Sequence, residues 1–128
     1  MKKAEKNKVF FLDFIRNLNS HSKTESEISP FIDDPLLIRT MILLEETLPH
    51  FKILVDELTA EKNRLIVQAR VKGHLPSNLE NITISFVMGC QIQSNKIVHH
   101  WFMANELSLM QQIDQLSLNS RAKTNGNQ

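Results

Sequence analysis

The chain has 128 residues, of which 41% are hydrophobic and 23% charged, a composition typical of one globular domain. Its formal net charge of +1 gives no overall field that would attract nucleic acid or an anionic membrane, so we expect neither as a partner. Cys90 is the only cysteine, which excludes an intrachain disulfide. Without a leader-like start or a run of about 20 apolar residues, a cytoplasmic location is expected by default.

The first part of the chain has helical periodicity. Residues 3–19 are predicted to form an amphipathic helix, and residues 20–30 a polar connecting loop. The expected apolar stripe, with Phe11 slightly outside it, consists of Val9, Phe10, Leu12, Phe14, Ile15 and Leu18. Asp34 is expected to cap a second helix over 36–48, with Pro35 in its first turn and Pro49 at its end.

The remainder alternates with the period of strands. Strands are predicted over 51–56, 65–72, 82–92 and 96–105, with Gly89 as a bulge and Ser94–Asn95 as a tight turn. A short closing helix is expected over 106–116, followed by a disordered polar tail over 117–128. We treat residues 1–116 as a single domain. Helices followed by a meander of strands predict an α+β fold, with an enclosed pocket suited to a small ligand.

Two segments resemble motifs of the SnoaL-like polyketide cyclases. Residues 48–58 are similar to the family's Pro-Asp-apolar strand opening, and residues 96–101 to its GKI-x-x-x-W strand. Residues 107–113 are similar to its LLQQLG-like ending, and Gly73-His74 stands where a Gly-Thr-His turn is frequent. The resemblance covers roughly residues 8–116. It implies a cone-shaped α+β barrel, in which N-terminal helices pack in the concave face of a curved antiparallel sheet, and a homodimer.

The chain departs from that family at three positions. His50 replaces the Asp after Pro49, and Asn95 replaces the Gly before Lys96. Asn105 stands four residues after the Trp, where the family has an acid/base Asp. An amide transfers no proton at neutral pH, and loss of a positioned acid or base typically costs about 10²–10⁴ in rate.

Three residues are candidate catalytic groups, each with a structural alternative. Asn105 could hydrogen-bond a carbonyl or enolate, or merely end its strand and cap the next helix. His99 could act as a base because imidazole titrates near neutrality, or be a structural histidine. Asp33 could be an acid at the pocket mouth, or a solvated turn carboxylate.

Five further residues are expected to line the pocket, although ordinary core packing is an alternative for each. They are Trp101, Met103, Met88, Met41 and His74. Alternation puts Trp101 on one face with His99, Met103 and Asn105, and the resemblance implies that this face contributes to the pocket. His99 and His100 then point to opposite faces, so we expect no metal site, and no motif indicates a cofactor.

The sequence thus predicts a protein that binds a small, mostly apolar, carbonyl-bearing molecule. It leaves open whether the protein is an enzyme with cyclase-, isomerase- or hydrolase-type acid–base chemistry. The alternatives are a non-catalytic small-molecule-binding module and a protein-interaction domain whose pocket is filled by side chains. The outer sheet face, expected to carry Phe102 and Val98, favours a homodimer.

Overall fold

The computed structural model describes residues 2–21, 23–76, 80–102 and 115. Three helices precede four strands in this part of the chain: α1 Lys3–Ser20, α2 Glu25–Ile28, α3 Pro35–Thr47, β1 Lys52–Glu61, β2 Arg64–His74, β3 Asn81–Gln93 and β4 Lys96–Phe102. The strands form one antiparallel sheet in the order β1-β2-β3-β4, with the helices in its concave face. The predicted α+β class is confirmed. The expected 106–116 helix and 117–128 tail lie outside the described residues, except for Gln115.

The buried stripe of α1 differs from the predicted one. Phe11 is 2% exposed, whereas Val9 and Leu12 are 48% and 41% exposed. Phe11 lies on the same side of the helix as Phe14 and Leu18, because spacings of three and four residues return to one face. Phe11 is therefore a core residue, and Val9 and Leu12 face outward.

Local capping explains where the next helices begin. The side chain of Thr24 accepts the Glu27 N–H, which starts the single turn of α2 inside the segment expected to be a loop. The Asp34 Oδ1 accepts the Leu37 N–H at 3.3 Å, and Pro35 opens α3. The predicted cap of α3 is thereby confirmed.

The sheet buries its concave face against α1 and α3. The β2 side chains predicted to share one face, Leu65, Val67, Ala69 and Val71, are all buried. From β3 the buried apolar partners are Ile84, Phe86, Met88, Cys90 and Ile92. Irregularities in register between Val55 and Glu57 in β1, and between Gln91 and Ile92 opposite β4, bend the sheet.

Gly89 is not the predicted bulge. The β2–β3 register runs through it without interruption, and it pairs with Ile66 on one side and Trp101 on the other. A Cβ at this position would overlap the Trp101 indole. Glycine is therefore required for the close approach of a ring.

Polar contacts complete both edges of the sheet. Asn19 of α1 bonds the β1 backbone twice, because Oδ1 accepts the Ile53 N–H and Nδ2 donates to the Ile53 carbonyl, each at 2.8 Å. Ile32 forms a parallel bridge with Ile97 of β4, flanked by backbone bonds from Asp33 N–H to Ile97 and from Ile97 N–H to Phe31. These contacts hold the helices over the concave face and shield both edges.

Candidate functional site

An apolar cavity of about 30 Å³ lies inside the cone. It is lined by apolar side chains of α1, α3 and the sheet, among them Phe14, Leu37, Met41, Phe86 and Met88. By size it would hold on the order of two water molecules, and cavities lined only by apolar groups stay dry. The structure thus brings together two expected lining residues, Met41 and Met88.

A histidine–carboxylate pair lies in the same interior. The His100 Nδ1 is 2.6 Å from the Asp34 Oδ2, and the two side chains are only 11% and 10% exposed. Because the other carboxylate oxygen accepts the Leu37 N–H, Asp34 is held by both its helix and β4. An ionised carboxylate only accepts, so Nδ1 donates and the lone pair of a neutral ring lies on Nε2. The hydrogen bond therefore holds the imidazole in one orientation, with Nε2 on the side of the ring away from Asp34.

The pair is one layer of side chains from the cavity. Leu37, whose N–H bonds Asp34, lines the cavity. The His100 ring packs edge-on against Phe102 at 5.6 Å between centroids, and Phe102 packs in turn against Phe86 at 6.4 Å. Phe86 lines the cavity as well. The Phe102 ring therefore lies between the histidine and the cavity wall.

The structure corrects the expected orientation of His99 and Trp101. His99 pairs with Gln91 and Trp101 with Gly89, on the outer face of the sheet, where Trp101 is 36% exposed. Simple alternation from the buried Ile97 would have turned both residues inward. Val98 is an extra residue in the β4 ladder, and this bulge inverts the alternation beyond it. His100 and Phe102, rather than His99 and Trp101, face the interior.

The remaining candidates are dispersed. Asp33 is exposed, beside the buried Asp34, and its backbone N–H donates to Ile97. His74 is exposed at the end of β2, outside the cone. Asn105 and Met103 lie outside the described residues. His100 was not among the residues expected at the site; the signal for its contact was that the capping Asp34 has a second oxygen available for a partner.

Two other buried ionisable groups are explained by packing. Burial raises the pKa of the Cys90 thiol to about 12, so Cys90 is no nucleophile at neutral pH. Burial lowers the pKa of Lys23, which Glu45 opposes from 3.5 Å. The Lys23 Nζ also lies 4.3 Å from the Phe51 ring centroid. Lys23 therefore links the segment before α2 to α3 and to the start of β1.

Residues 2–21, 23–76 and 80–102 contain neither a cluster of metal ligands nor a helix that could span a membrane. Nowhere in these ranges do three His, Cys, Asp or Glu side chains come together as a metal site would require. No helix within them is both long and apolar enough to cross a bilayer.

Helices packed in the concave face of a curved antiparallel sheet define a class of α+β protein. Several solved structures have this fold. AclR from Streptomyces galilaeus, proposed to be a hydroxylase, is 15% identical with a TM-score of 0.68 over 97% of this chain and 94% of its own. A SnoaL-like polyketide cyclase from Agrobacterium tumefaciens is 14% identical with a TM-score of 0.64, over 84% and 97% of the two chains. A protein from Jannaschia sp. CCS1, proposed to be a SnoaL-like polyketide cyclase, is 13% identical with a TM-score of 0.67, over 88% and 94%.

The chain thus has the fold of the SnoaL-like polyketide cyclases, as its motifs predicted. No protein-family model matches its sequence, and no curated protein does so significantly.

Proposed function

We propose that the protein binds a small, mostly apolar, carbonyl-bearing molecule inside the cone, and that His100 and Asp34 transfer a proton to and from it. The observation that carries this proposal is the His100–Asp34 hydrogen bond of 2.6 Å, between side chains that are only 11% and 10% exposed and are separated from the apolar cavity by one layer of side chains. Removing a charged or polar group from water is costly unless it is paired. Capping of α3 uses only the Oδ1 of Asp34, so it does not explain why His100 is bonded to Oδ2.

The likeness to SnoaL-like polyketide cyclases supports the class of ligand, because one solved protein of that description has this fold. The cavity is smaller than such a ligand. Met41 and Met88 line it, and their unbranched side chains adapt to different contents with little strain. We therefore propose that the ligand enlarges the cavity by displacing these side chains and the Phe102 ring.

The proposed chemistry is proton abstraction next to a carbonyl. The Nε2 lone pair of His100 takes the proton, the C–H electron pair passes into the enolate, and the imidazolium returns a proton to carbon or oxygen. Asp34 holds the ring through Nδ1–H and stabilises its charged form. In this scheme His100 performs the proton transfer that an Asp performs in the resembling family. Asn105 stands at the position of that Asp in this chain.

The test is exchange of the α-hydrogens of 2-tetralone, a small apolar ketone, for deuterium in D₂O, followed by NMR. We expect the protein to accelerate exchange and His100→Gln to reduce the acceleration by about 10² or more. Asp34→Asn should also reduce it while preserving α3, since Asn caps helices as well as Asp does. His21→Gln is the matched control, because His21 is exposed at the end of α1 and should leave exchange unchanged.

The same assay separates the alternatives. Saturable tetralone binding without accelerated exchange would replace the enzyme proposal by the non-catalytic binding module. Loss of exchange in His99→Gln but not in His100→Gln would place the chemistry on the outer face and overturn the assignment. Absence of both binding and exchange, in a protein that also carries no small molecule in native mass spectrometry, would favour a filled protein-interaction domain.

We further propose that the protein forms a homodimer through the outer face of the sheet. Trp101 is 36% exposed on that face, and Ile66 lies in the same cross-strand row, with Gly89 between them. Exposed apolar side chains on a sheet commonly mark a contact with a partner.

A further inference from the structure

A second cleft, distinct from the cone interior, opens where β1 begins, β2 ends and β3 begins. Its volume is about 530 Å³, within the range of small-molecule sites. Four basic side chains line it, with two neutral hydrogen-bonding side chains beside them: His50, Lys52, Lys72, His74, Asn81 and Thr83. No carboxylate is among its described lining residues.

The two lysines are directly opposed. Lys52 and Lys72 are partners in the β1–β2 register, and both are exposed on the outer face. Like charges in directly opposite positions destabilise a sheet. Neither lysine forms an ion pair with a described residue.

The neighbouring cation on the same face has a partner. Arg70, two residues before Lys72, donates to Asp56 through Nε and Nη2, with the shortest contact 2.7 Å long. On the outer face, Asp56 therefore neutralises Arg70, whereas no described carboxylate pairs with the adjacent Lys52 and Lys72. An uncompensated pair of charges in a cleft is the arrangement expected where an anionic ligand supplies the opposite charge.

The backbone at the edge of the cleft is also unusual. His50 has φ of 63°, in the left-handed region that few residues other than glycine adopt. A side-chain oxygen of Glu45 accepts the His50 N–H and holds this turn. This turn brings His50 to the edge of the cleft, where it is one of the lining residues.

We propose that this cleft binds a small phosphorylated molecule, with the phosphate between Lys52 and Lys72. The two ammonium groups match the two charges of a phosphomonoester, and lysine binds phosphate as a compact point charge. Asn81 and Thr83 supply neutral donors. Leu54 also lines the cleft and forms its apolar part, against which the organic group of the ligand packs.

The test is calorimetric titration at low salt with phenyl phosphate, and with phenol and inorganic phosphate as the separate halves of the probe. We expect saturable binding of phenyl phosphate, weaker binding of inorganic phosphate, and none of phenol. Loss of one unit charge at contact distance weakens binding about fivefold in water, so the loss of two charges in Lys52→Gln with Lys72→Gln should weaken it about 25-fold.

The matched control is Lys62→Gln with Lys96→Gln, which removes the same charge at the opposite end of the sheet and should change affinity by less than about twofold. Circular dichroism melting verifies that both double variants are folded. If both double variants weakened binding equally, the affinity would depend on net charge and not on Lys52 and Lys72. If phenol bound as tightly as phenyl phosphate, the binding would be purely apolar. Either result, or a wild type without saturable binding, overturns the proposal. Tetralone exchange tests the cone interior independently, so the failure of one site is distinguishable from the failure of the other.

Discussion

Gly89 and Trp101 form a cross-strand pair in which the smallest residue lies beneath the largest. A Cβ at position 89 would overlap Cε2, Cζ2 and Nε1 of the indole. The ring therefore lies flat on the β3 backbone and covers it from solvent on the outer face. Trp101 is the only tryptophan of the chain, so its fluorescence reports on this pair alone.

Gly89→Ala should lift the indole from the sheet. We expect a red-shifted tryptophan emission and a loss of stability of about 1–3 kcal/mol, the usual cost of overpacking. Urea unfolding followed by fluorescence measures both. In a Trp101→Ala background, followed by circular dichroism, the same alanine should cost much less. An unchanged emission maximum and midpoint in Gly89→Ala would contradict the close contact.

Lys23 should make stability rise with pH in the alkaline range. Its folded-state pKa is lowered from the ordinary value of 10.5, chiefly by burial, so between the two values the unfolded chain binds more protons. The free energy of unfolding attributable to Lys23 therefore increases as pH rises from the lowered pKa to about 10.5. Below that interval both states are protonated, and the burial penalty is fully present.

Lys23→Met tests this sign by urea unfolding at several pH values from neutral to alkaline. We expect the wild type to gain stability relative to the variant as pH rises, which is measured as the difference between the two. Cys90, whose raised pKa of about 12 makes stability fall above its ordinary value of 9.0, is present in both proteins and cancels. The chain has no tyrosine to titrate in this range. A pH-independent difference would show that Lys23 is solvated.

At the scale of elements, helix starts, turns and the buried face of a strand were predictable where one or a few neighbouring residues determine them. The carboxylate of Asp34 and the ring of Pro35 determined the start of α3, and the alternation of β2 identified its buried face. The Ser94–Asn95 turn, with φ of 53° and 57°, also follows from local preference.

The candidate site was less predictable, because it depends on contacts between distant elements. His100 and Asp34 are 66 positions apart, and only the docking of α3 beside β4 brings them together. The Val98 bulge has no composition signal, yet it determines which half of β4 faces inward. Alternation therefore predicts that a strand exists more securely than it predicts which side chains face inward, because one bulge exchanges the two faces.

At the scale of the whole molecule, the proposed homodimer through the outer face of the sheet can be tested by substitution. If two copies meet there, Trp101→Glu should dissociate them, because a charge buried at an apolar contact is costly. Sedimentation velocity at tens of micromolar should show a dimer for the wild type and a monomer for the variant. Leu12→Glu is the control, since Leu12 is 41% exposed on the outward side of α1 and should leave the dimer intact. A monomeric wild type would remove the proposal.

Two adjacent histidines, His99 and His100, follow the bulge at Val98. An imidazole would therefore face the interior in either of two registers of β4. His100 is now opposite Cys90. If β4 slipped by one residue and absorbed Val98 into its ladder, His99 would take that place, and the interior would still receive an imidazole. The same slip would exchange Trp101 and Phe102 between the faces and remove the indole from Gly89. The register is therefore determined by the contact between the glycine and the tryptophan, and not by the histidines.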